Sequence, residues 1–139
     1  MESIRYSFDL DGVDWQILVD DLIADDFHNG RTVEQFRKSA ENSQHNCFAW
    51  AGERVVGNLR VLSDGIGNAY VVDVWTQSAY RKQGIARRMI ELTLERLPGQ
   101  HVFLFTDDDA IGFYERIGFQ RQGIGLYKIV GQYLKNTGG

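Results

Sequence analysis

The chain has 139 residues, a formal net charge of −4 and 43% apolar residues. This length is typical of one domain and is enough to bury one sizeable core, so we expect a single domain over residues 1–139. The acidic balance argues against a nucleic-acid partner, because binding along a phosphate backbone needs broad positive charge, and any anion site has to be local.

Two features bear on the compartment in which the protein works. Cys47 is the only cysteine and cannot form an internal disulfide, which suits a reducing cytoplasm; a small buried thiol is its simplest role. Residues 1–12 carry acids and alternation instead of a basic start and an apolar stretch, and no run approaches the length of a membrane span. The sequence therefore predicts a cytoplasmic protein with no membrane partner.

The first part of the chain predicts one strand followed by two helices. Apolar residues alternate over residues 4–10, as in a half-buried strand. Helical spacing then runs over residues 15–26, with Asp14 at the N-cap position. Thr32 with Gln35 three residues later forms a capping box that opens a second helix.

The middle of the chain predicts three antiparallel strands. Two apolar strands begin near Cys47 and are separated by a turn at residues 52–53. Residues 63–65, with the sequence SDG, form a second turn. A third strand over residues 69–76 completes the meander.

The remaining chain predicts two helices that alternate with two strands. Residues 84–97 carry the clearest helical pattern, which stops at Pro98. A buried strand over residues 101–106, a short helix over 108–118 and a final strand over 126–134 follow. The predicted order of elements is βααβββαβαβ.

Positive charge surrounds Gly84 at the start of the third predicted helix. Four cations lie beside it: Arg81, Lys82, Arg87 and Arg88. The first amides of a helix lack intrahelical partners, and a glycine without a Cβ lets an anion approach them closely. Taken alone, the pattern supports a diphosphate cradle and a solvated basic helix start about equally. It is neither a P-loop nor a three-glycine dinucleotide fingerprint.

Two motifs resemble those of the GCN5-related N-acetyltransferases. AYRKQGIA, residues 79–86, resembles the acetyl-coenzyme A loop Q/R-x-x-G-x-G/A of that family. DDDAIGFYERIGF, residues 107–119, is similar to its downstream pattern N-x-x-A-x-x-F-Y-x-x-x-G-F. The matching positions are Arg81, Gly84 and Ala86 in the first motif and Ala110, Phe113, Tyr114, Gly118 and Phe119 in the second. The resemblance covers nearly the whole chain, because the order of elements also fits.

The resemblance implies an α/β (α+β) acyl-CoA N-acyltransferase fold that uses acetyl-CoA. We expect a mixed, mostly antiparallel, splayed sheet of six to seven strands flanked by about four helices. Residues 70–76 would lie beside the cofactor, with pantetheine in the splay. The implied cofactor-binding residues are Val74 and Thr76 through their backbones, the loop residues Lys82, Gln83, Gly84, Ile85, Ala86 and Arg87 through their amides, the Arg81 side chain, and Asp107.

Asp107 is a departure from the family pattern. It stands where the family often has Asn, and a carboxylate cannot donate the hydrogen bond that an amide would. Of the acids at the start of the short helix, we expect Asp108 or Asp109 to cap it.

A looser resemblance concerns a subgroup of the family that includes the plant-type arylalkylamine acetyltransferases. Arg60, Ser63 and Asp64 match that subgroup by position. The Ser-Asp-Gly stretch is also a common turn whose side chains bond to their own backbone, and we prefer that interpretation.

Acetyl transfer to an amine needs an uncharged amine, stabilisation of an oxyanion and a proton for the thiolate. The resemblance makes Tyr114 the general acid. Asp73 interrupts an apolar strand and is our candidate base, with a structural ion pair to Arg60, or a water chain in its place, as alternatives. A backbone N–H near Val74 would polarise the acetyl carbonyl.

We expect the acceptor to be a small-molecule primary amine, and the acids at Asp25, Asp26 and Asp73 favour a cationic one. The alternatives are a protein or peptide N-acetyltransferase and a non-catalytic acyl-CoA-binding or regulatory module. The three histidines show no ligand spacing, so no metal is expected. A homodimer stays open.

Overall fold

A computed structural model describes residues 3–131 of the chain. Its helices and strands follow the predicted order as far as the last helix. They are β1 (Ile4–Ser7), α1 (Trp15–Ala24), α2 (Val33–Glu41), β2 (His45–Ala51), β3 (Arg54–Ser63), β4 (Asn68–Thr76), α3 (Ile85–Leu94), β5 (His101–Phe103) and α4 (Ile111–Ile117). The predicted α/β class is confirmed.

The strands form one mixed sheet in the order β1-β2-β3-β4-β5. The first three pairings are antiparallel, and β5 pairs parallel to β4. The parallel pairing joins only residues 68–70 to residues 101–103. Beyond these pairs the sheet opens between β4 and the chain that follows β5, which is the expected splay.

The helix starts and the turn that the sequence predicted are present. The Asp14 side chain accepts from the Ile17 amide at 3.1 Å and caps α1. Both hydrogen bonds of the Thr32–Gln35 capping box form at the start of α2. Asp64 Oδ1 accepts hydrogen bonds from the backbone amides of Ile66 and Gly67. Residues 63–65 therefore form a turn that is held by side-chain-to-backbone hydrogen bonds, which is the interpretation that we preferred for the Ser-Asp-Gly stretch.

The side chains of β2 alternate between the faces of the sheet, and each face carries its own core. Cys47, Ala49 and Ala51 of β2 belong to a cluster with Met89 of α3. Phe48 and Trp50 point to the other face, where they pack in a cluster with Leu18 of α1. Burial of each large apolar side chain contributes roughly 1.5–3 kcal/mol. The sheet is therefore held between α1 and α2 on one side and α3 on the other.

Two predictions for the C-terminal part are wrong. The strand expected over residues 101–106 ends at Phe103, and its side chains are exposed or half-buried instead of buried, because β4 is its only neighbour in the described sheet. Residues 126–131 form no strand: Leu126 and Tyr127 are 88% and 90% exposed and lie off the sheet, where no strand within residues 3–131 pairs with their backbone. The described sheet thus has five strands, not six to seven; residues 132–134 of the predicted strand lie outside the described range.

Candidate active site

A bulge in β4 shapes the centre of the site. In the pairing of β3 with β4, residue 58 is opposite residue 75 and residue 60 is opposite residue 72. An advance of two residues along β3 therefore corresponds to an advance of three residues along β4. Asp73 lies in this bulge with a φ of 57°, in the left-handed region that favours glycine. Asp73 and Val74 have no register partner on β3. A bulge of this kind re-aims side chains, and this one turns Asp73 toward the opening beside β5.

The loop between β4 and α3 exposes the N-terminal end of that helix. Lys82 and Gly84 have φ angles of 64° and 81°, which turn the chain sharply into α3. Gly84 is the N-cap and supplies no side-chain hydrogen bond, so it leaves the first amides of α3 without a side-chain partner. A Cβ placed on Gly84 would have no heavy atom within 4 Å apart from those of its chain neighbours. An anion can therefore reach these amides.

A cavity of about 420 Å³ lies against this loop. It is bounded by the end of β4, the loop, the first turn of α3 and one face of α4. Its lining includes nearly all the residues that the resemblance assigned to the cofactor: Val74, Thr76, Arg81, Lys82, Gly84, Ile85, Ala86 and Arg87. Gln83 is not part of the lining, and Asp107 faces a different cavity.

The cofactor cavity, as we call this space, fits the parts of coenzyme A. Loop amides and cations stand at one end, and apolar side chains such as Phe27 and Phe113 line the rest. The Thr76 hydroxyl is buried without a hydrogen-bond partner among residues 3–131. The Arg81 side chain lies back on β4, where its Nε donates to the Thr76 carbonyl at 3.1 Å. The Arg81 side chain, which the resemblance assigned to the cofactor, is thus engaged with the protein itself.

A second cavity, of about 740 Å³, lies in the opening between β4 and the chain that follows β5. Residues 70–74 form one wall and residues 104–107 the other. We call it the acceptor cavity. It shares four lining residues with the cofactor cavity: Phe27, Val74, Ala110 and Tyr114. The two cavities therefore meet beside the bulge of β4 and α4.

Tyr114 stands at this junction. Its ring lies edge-on to Phe113 and Phe119, which fix its position on α4. Burial, and then the negative charge of Asp107, raise the pKa of the Tyr114 phenol above its ordinary value. The phenol therefore keeps its proton at neutral pH.

Asp107 has a structural role beside this junction. Its Oδ1 accepts from the Ala110 amide at 3.1 Å, which holds the turn that leads into α4. The expectation that Asp108 or Asp109 caps this helix is wrong. No side chain caps α4, and of the three acids only Asp107 accepts from an amide of the turn that precedes it.

Asp73 is held by two arginines. Arg31 and Arg60 each donate to its Oδ2, at 2.7 and 2.8 Å. Burial alone would raise the pKa of Asp73, but the two guanidinium groups outweigh it and hold the pKa below its ordinary value. The ion pair to Arg60 that we gave as an alternative for Asp73 is present, and the carboxylate stays ionised.

Arg31 was missed by the sequence reading. It lies 42 residues from its partner Asp73 and follows a turn in which Asn29 and Gly30 both have positive φ. Nothing in the local pattern distinguishes it from a loop cation. Only the packing of that loop over the open edge of the sheet brings it to the acceptor cavity.

Comparison with known proteins identifies the family. A model of the acetyltransferase (GNAT) family matches residues 14–119. The chain belongs to the GNAT family. This stretch contains both motifs and every residue of the two cavities' shared lining.

Individual proteins that are similar to this chain are also described as acetyltransferases. A solved structure described as an acetyltransferase from Deinococcus radiodurans R1 is 25% identical, with a TM-score of 0.78 over 90% of this chain and 87% of that one. A GNAT-family structure from Xanthomonas campestris shares the fold at 22% identity, with a TM-score of 0.81 over 97% and 99% of the two chains. A protein of Glycine max named Histone acetyltransferase TAP1 is 30% identical over 77 residues, 53% of this chain and 33% of that protein. The chain thus matches about a third of the length of that curated relative.

The described residues offer neither a membrane-spanning helix nor a metal cluster. No helix within residues 3–131 has the length and hydropathy needed to cross a bilayer. The same residues contain no cluster of three or more His, Cys, Asp or Glu side chains suited to a metal ion.

Proposed function

We propose that this GNAT protein is an acetyl-CoA-dependent N-acetyltransferase that transfers an acetyl group directly to the primary amine of a small molecule. One observation carries the proposal: a cavity built on the N-terminal amides of α3 meets a second cavity at Val74 and Tyr114. Two substrates held in these cavities would meet at one phenol. No covalent enzyme intermediate is needed, because both substrates can be present together.

The residues of the cofactor cavity would hold acetyl-CoA. The amides from Lys82 to Arg87 would bind its pyrophosphate at the positive end of α3, and the backbones of Val74 and Thr76 would bond its pantetheine arm. When bound, acetyl-CoA supplies the acetyl thioester: the C–S bond breaks, a C–N bond forms, the amine loses a proton and the sulfur gains one. The cations of the loop add to the attraction for the phosphates.

Tyr114 would provide the proton that the sulfur gains. Its phenol lies where the cavities meet and remains protonated at neutral pH, since burial and Asp107 raise its pKa. A general acid has to hold its proton until the leaving group needs it. The position and protonation of Tyr114 both support this role.

Asp73 has two possible roles, and the geometry supports the structural one. An efficient general base has a pKa near the working pH, whereas the pKa of Asp73 is lowered by two arginines that both occupy its Oδ2. We therefore propose that Asp73 positions Arg31 and Arg60, and that water in the acceptor cavity removes the proton of the amine.

The size of the acceptor cavity, about 740 Å³, supports a small-molecule acceptor. Cavities of roughly 300–1,000 Å³ are typical of sites for small ligands. A protein acceptor is a second candidate because a Glycine max relative is named as a histone acetyltransferase. A lysine peptide therefore belongs in any acceptor panel.

Release of free thiol from acetyl-CoA, measured with a panel of small amines and one lysine peptide, tests the proposal. Calorimetry with coenzyme A is run beside it. We expect binding together with amine-dependent thiol release. Tight binding without release on any acceptor would favour the non-catalytic module, and absence of binding would overturn the cofactor assignment.

A further inference from the structure

The acceptor cavity contains two buried guanidinium groups that its known contacts do not saturate. The side chains of Arg31 and Arg60 are 6% and 10% exposed, and both residues line the cavity. Arg31 donates to Asp73, and Arg60 donates to Asp73 and to the Ser43 hydroxyl. The Nε of each arginine is buried without a hydrogen-bond partner among residues 3–131. A guanidinium has five N–H donors, and in each arginine the Nε–H is one that stays buried and unused.

The charges of this group do not balance. Two arginines share one carboxylate, which leaves an excess of one positive charge at this end of the cavity. The Phe36 ring, 5.3 Å from the Arg31 guanidinium carbon, offsets part of the cost of burying Arg31. A buried cation without a full counter-charge is costly, and a single additional anion would satisfy both groups. The excess of one charge matches a carboxylate better than a doubly charged phosphate.

The end of the cavity that meets the cofactor cavity favours a cation. Asp107 lines it there, and its charge acts on Tyr114 at the junction with the cofactor cavity. The two ends adjoin one stretch of β4, because both arginines contact Asp73 and the next residue, Val74, lines the junction with the cofactor cavity. A molecule with an amine and a carboxylate only a few bonds apart would therefore reach both ends.

The wall between these ends is apolar. Leu62 and Phe105 line it with 43% and 65% of their surface exposed, and the Tyr70 ring lies edge-on to Phe105 with 5.9 Å between the centroids. Apolar surface of this kind is covered most favourably by an aliphatic or aromatic group.

We propose that the acceptor is a small amine that also carries a carboxylate, in the manner of an apolar amino acid, and that Arg31 and Arg60 bind this carboxylate. The inference rests on the proposed acetyl transfer and narrows its substrate class. It replaces our expectation of a purely cationic amine. Asp73 already pairs with both arginines, and Asp25 accepts from the Trp75 indole and the Ser78 amide.

A matched set of acceptors tests the substrate class. Phenylalanine carries the carboxylate, whereas phenethylamine lacks it and phenylalaninamide replaces it with a neutral amide. We expect kcat/KM for phenylalanine to exceed both others by about 10-fold or more, as charge-assisted hydrogen bonds to a buried arginine allow. Equal or higher values for the two amines without a carboxylate would overturn the inference. Comparison of β-alanine with phosphoethanolamine separates a carboxylate from a phosphate, and preference for the phosphate would also overturn it.

A binding measurement keeps this test separate from the proposed function. Calorimetry compares N-acetylphenylalanine with N-acetylphenethylamine, neither of which needs to react. Tighter binding of the carboxylate supports the inference even if every amine fails in the thiol assay, which would overturn only the proposed function. Equal binding of the two compounds contradicts the inference whatever the assay shows.

Variants of the arginines assign the carboxylate contact. We expect Arg31→Gln and Arg60→Gln to raise KM for phenylalanine about 10-fold and to leave KM for phenethylamine unchanged. Arg37→Gln, which removes an exposed arginine on α2 that pairs with Glu34 and Glu41, is the control and should change neither value. An equal effect on both acceptors would show a structural role only. If the Gln variants fail to fold, Arg31→Lys keeps the charge but loses the planar fork, and a rise confined to phenylalanine is again expected.

Discussion

Arg60 of β3 donates a hydrogen bond to Asp73 of β4 at 2.8 Å, at the point where the register of the two strands breaks. The bulge turns the Asp73 side chain toward the arginine, and the ion pair in turn holds a backbone conformation with a φ of 57°. Strained backbone of this kind persists where the surroundings fix it. The pair therefore joins the stability of the sheet to the shape of the acceptor cavity.

Asp73 should make the protein sensitive to acid. Arg31 and Arg60 hold its pKa in the folded protein below the unfolded value of about 3.9. Its stabilisation is thus present above that unfolded value and is lost as the pH falls through the folded pKa. We expect Asp73→Asn to lower the free energy of unfolding at pH 7 by about 3 kcal/mol. Below pH ~4, the free energy of unfolding of the variant should fall less steeply with pH than that of the wild type. Denaturant unfolding between pH 3 and 7 measures this.

Asp20→Asn is the control for that experiment, because Asp20 is an exposed carboxylate of α1 that accepts a hydrogen bond from the exposed Gln16 side chain. It should leave the acid limb of the stability curve as it is in the wild type. An Asp73→Asn protein with the wild-type curve would show that the buried ion pair contributes no stability.

Gly84 should be essential for coenzyme binding. A Glu at this position adds a negative charge and a side chain beside the amides proposed for the pyrophosphate, and a φ of 81° strains any residue other than glycine. We expect Gly84→Glu to weaken coenzyme A binding at least about 10-fold by calorimetry. Gly99→Glu is a matched control with a φ of 75° and open space around it, just after α3. Equal affinity of the two variants would contradict the loop assignment.

Local signals in the sequence were enough for most of the fold. Asp14 and the Thr32–Gln35 pair cap α1 and α2 as predicted, because a cap depends on residues only three or four positions apart. The final strand failed for the opposite reason. An apolar run becomes a strand only when a neighbouring strand pairs with its backbone, and residues 126–131 have none in the described chain.

The same distinction applies to the site. The loop around Gly84 was found because its motif is contiguous, and the position of Tyr114 followed from a second contiguous motif. Of the two arginines on Asp73, Arg60 was given as an alternative partner, whereas Arg31 was missed because it reaches Asp73 only through tertiary packing over 42 residues of chain. The sequence therefore predicted the cofactor cavity better than the acceptor cavity.

Gly57 should control the packing of α3 on the sheet. A Cβ built on this residue of β3 would stand 3.2 Å from the Met89 methyl, 3.2 Å from the Trp75 carbonyl oxygen and 3.3 Å from the Ala49 Cβ. Two of these three neighbours cannot move without a shift of the backbone. We expect Gly57→Ala to destabilise the protein by about 1–3 kcal/mol in denaturant unfolding. Gly67→Ala should leave the stability unchanged, because no atom lies within 4 Å of a Cβ placed there. If Gly57→Ala also left the stability unchanged, α3 would not be tightly packed against the sheet.

Cys47 should be unreactive in the folded protein. The thiol is fully buried, and burial raises its pKa to about 11, so the reactive thiolate is scarce below pH 9. We expect a thiol-specific chromogenic reagent to label the native protein at least about 100-fold more slowly than the protein unfolded in guanidinium. The rate should follow the unfolding transition as denaturant is added. Fast labelling without denaturant would contradict the burial of β2 between the two cores.

Tyr114→Phe should remove the proton donor while leaving both cavities intact. The substitution deletes only the hydroxyl, so we expect kcat to fall by about 10²-fold or more with little change in coenzyme A affinity. Burial and Asp107 raise the pKa of this phenol, so wild-type activity should be lost at alkaline pH only above about 10, where the phenol ionises. The variant should lack that alkaline limb. Tyr127→Phe, which alters an exposed tyrosine outside both cavities, is the control. If thiol release by Tyr114→Phe equals that of the control at every pH, the proton comes from another group.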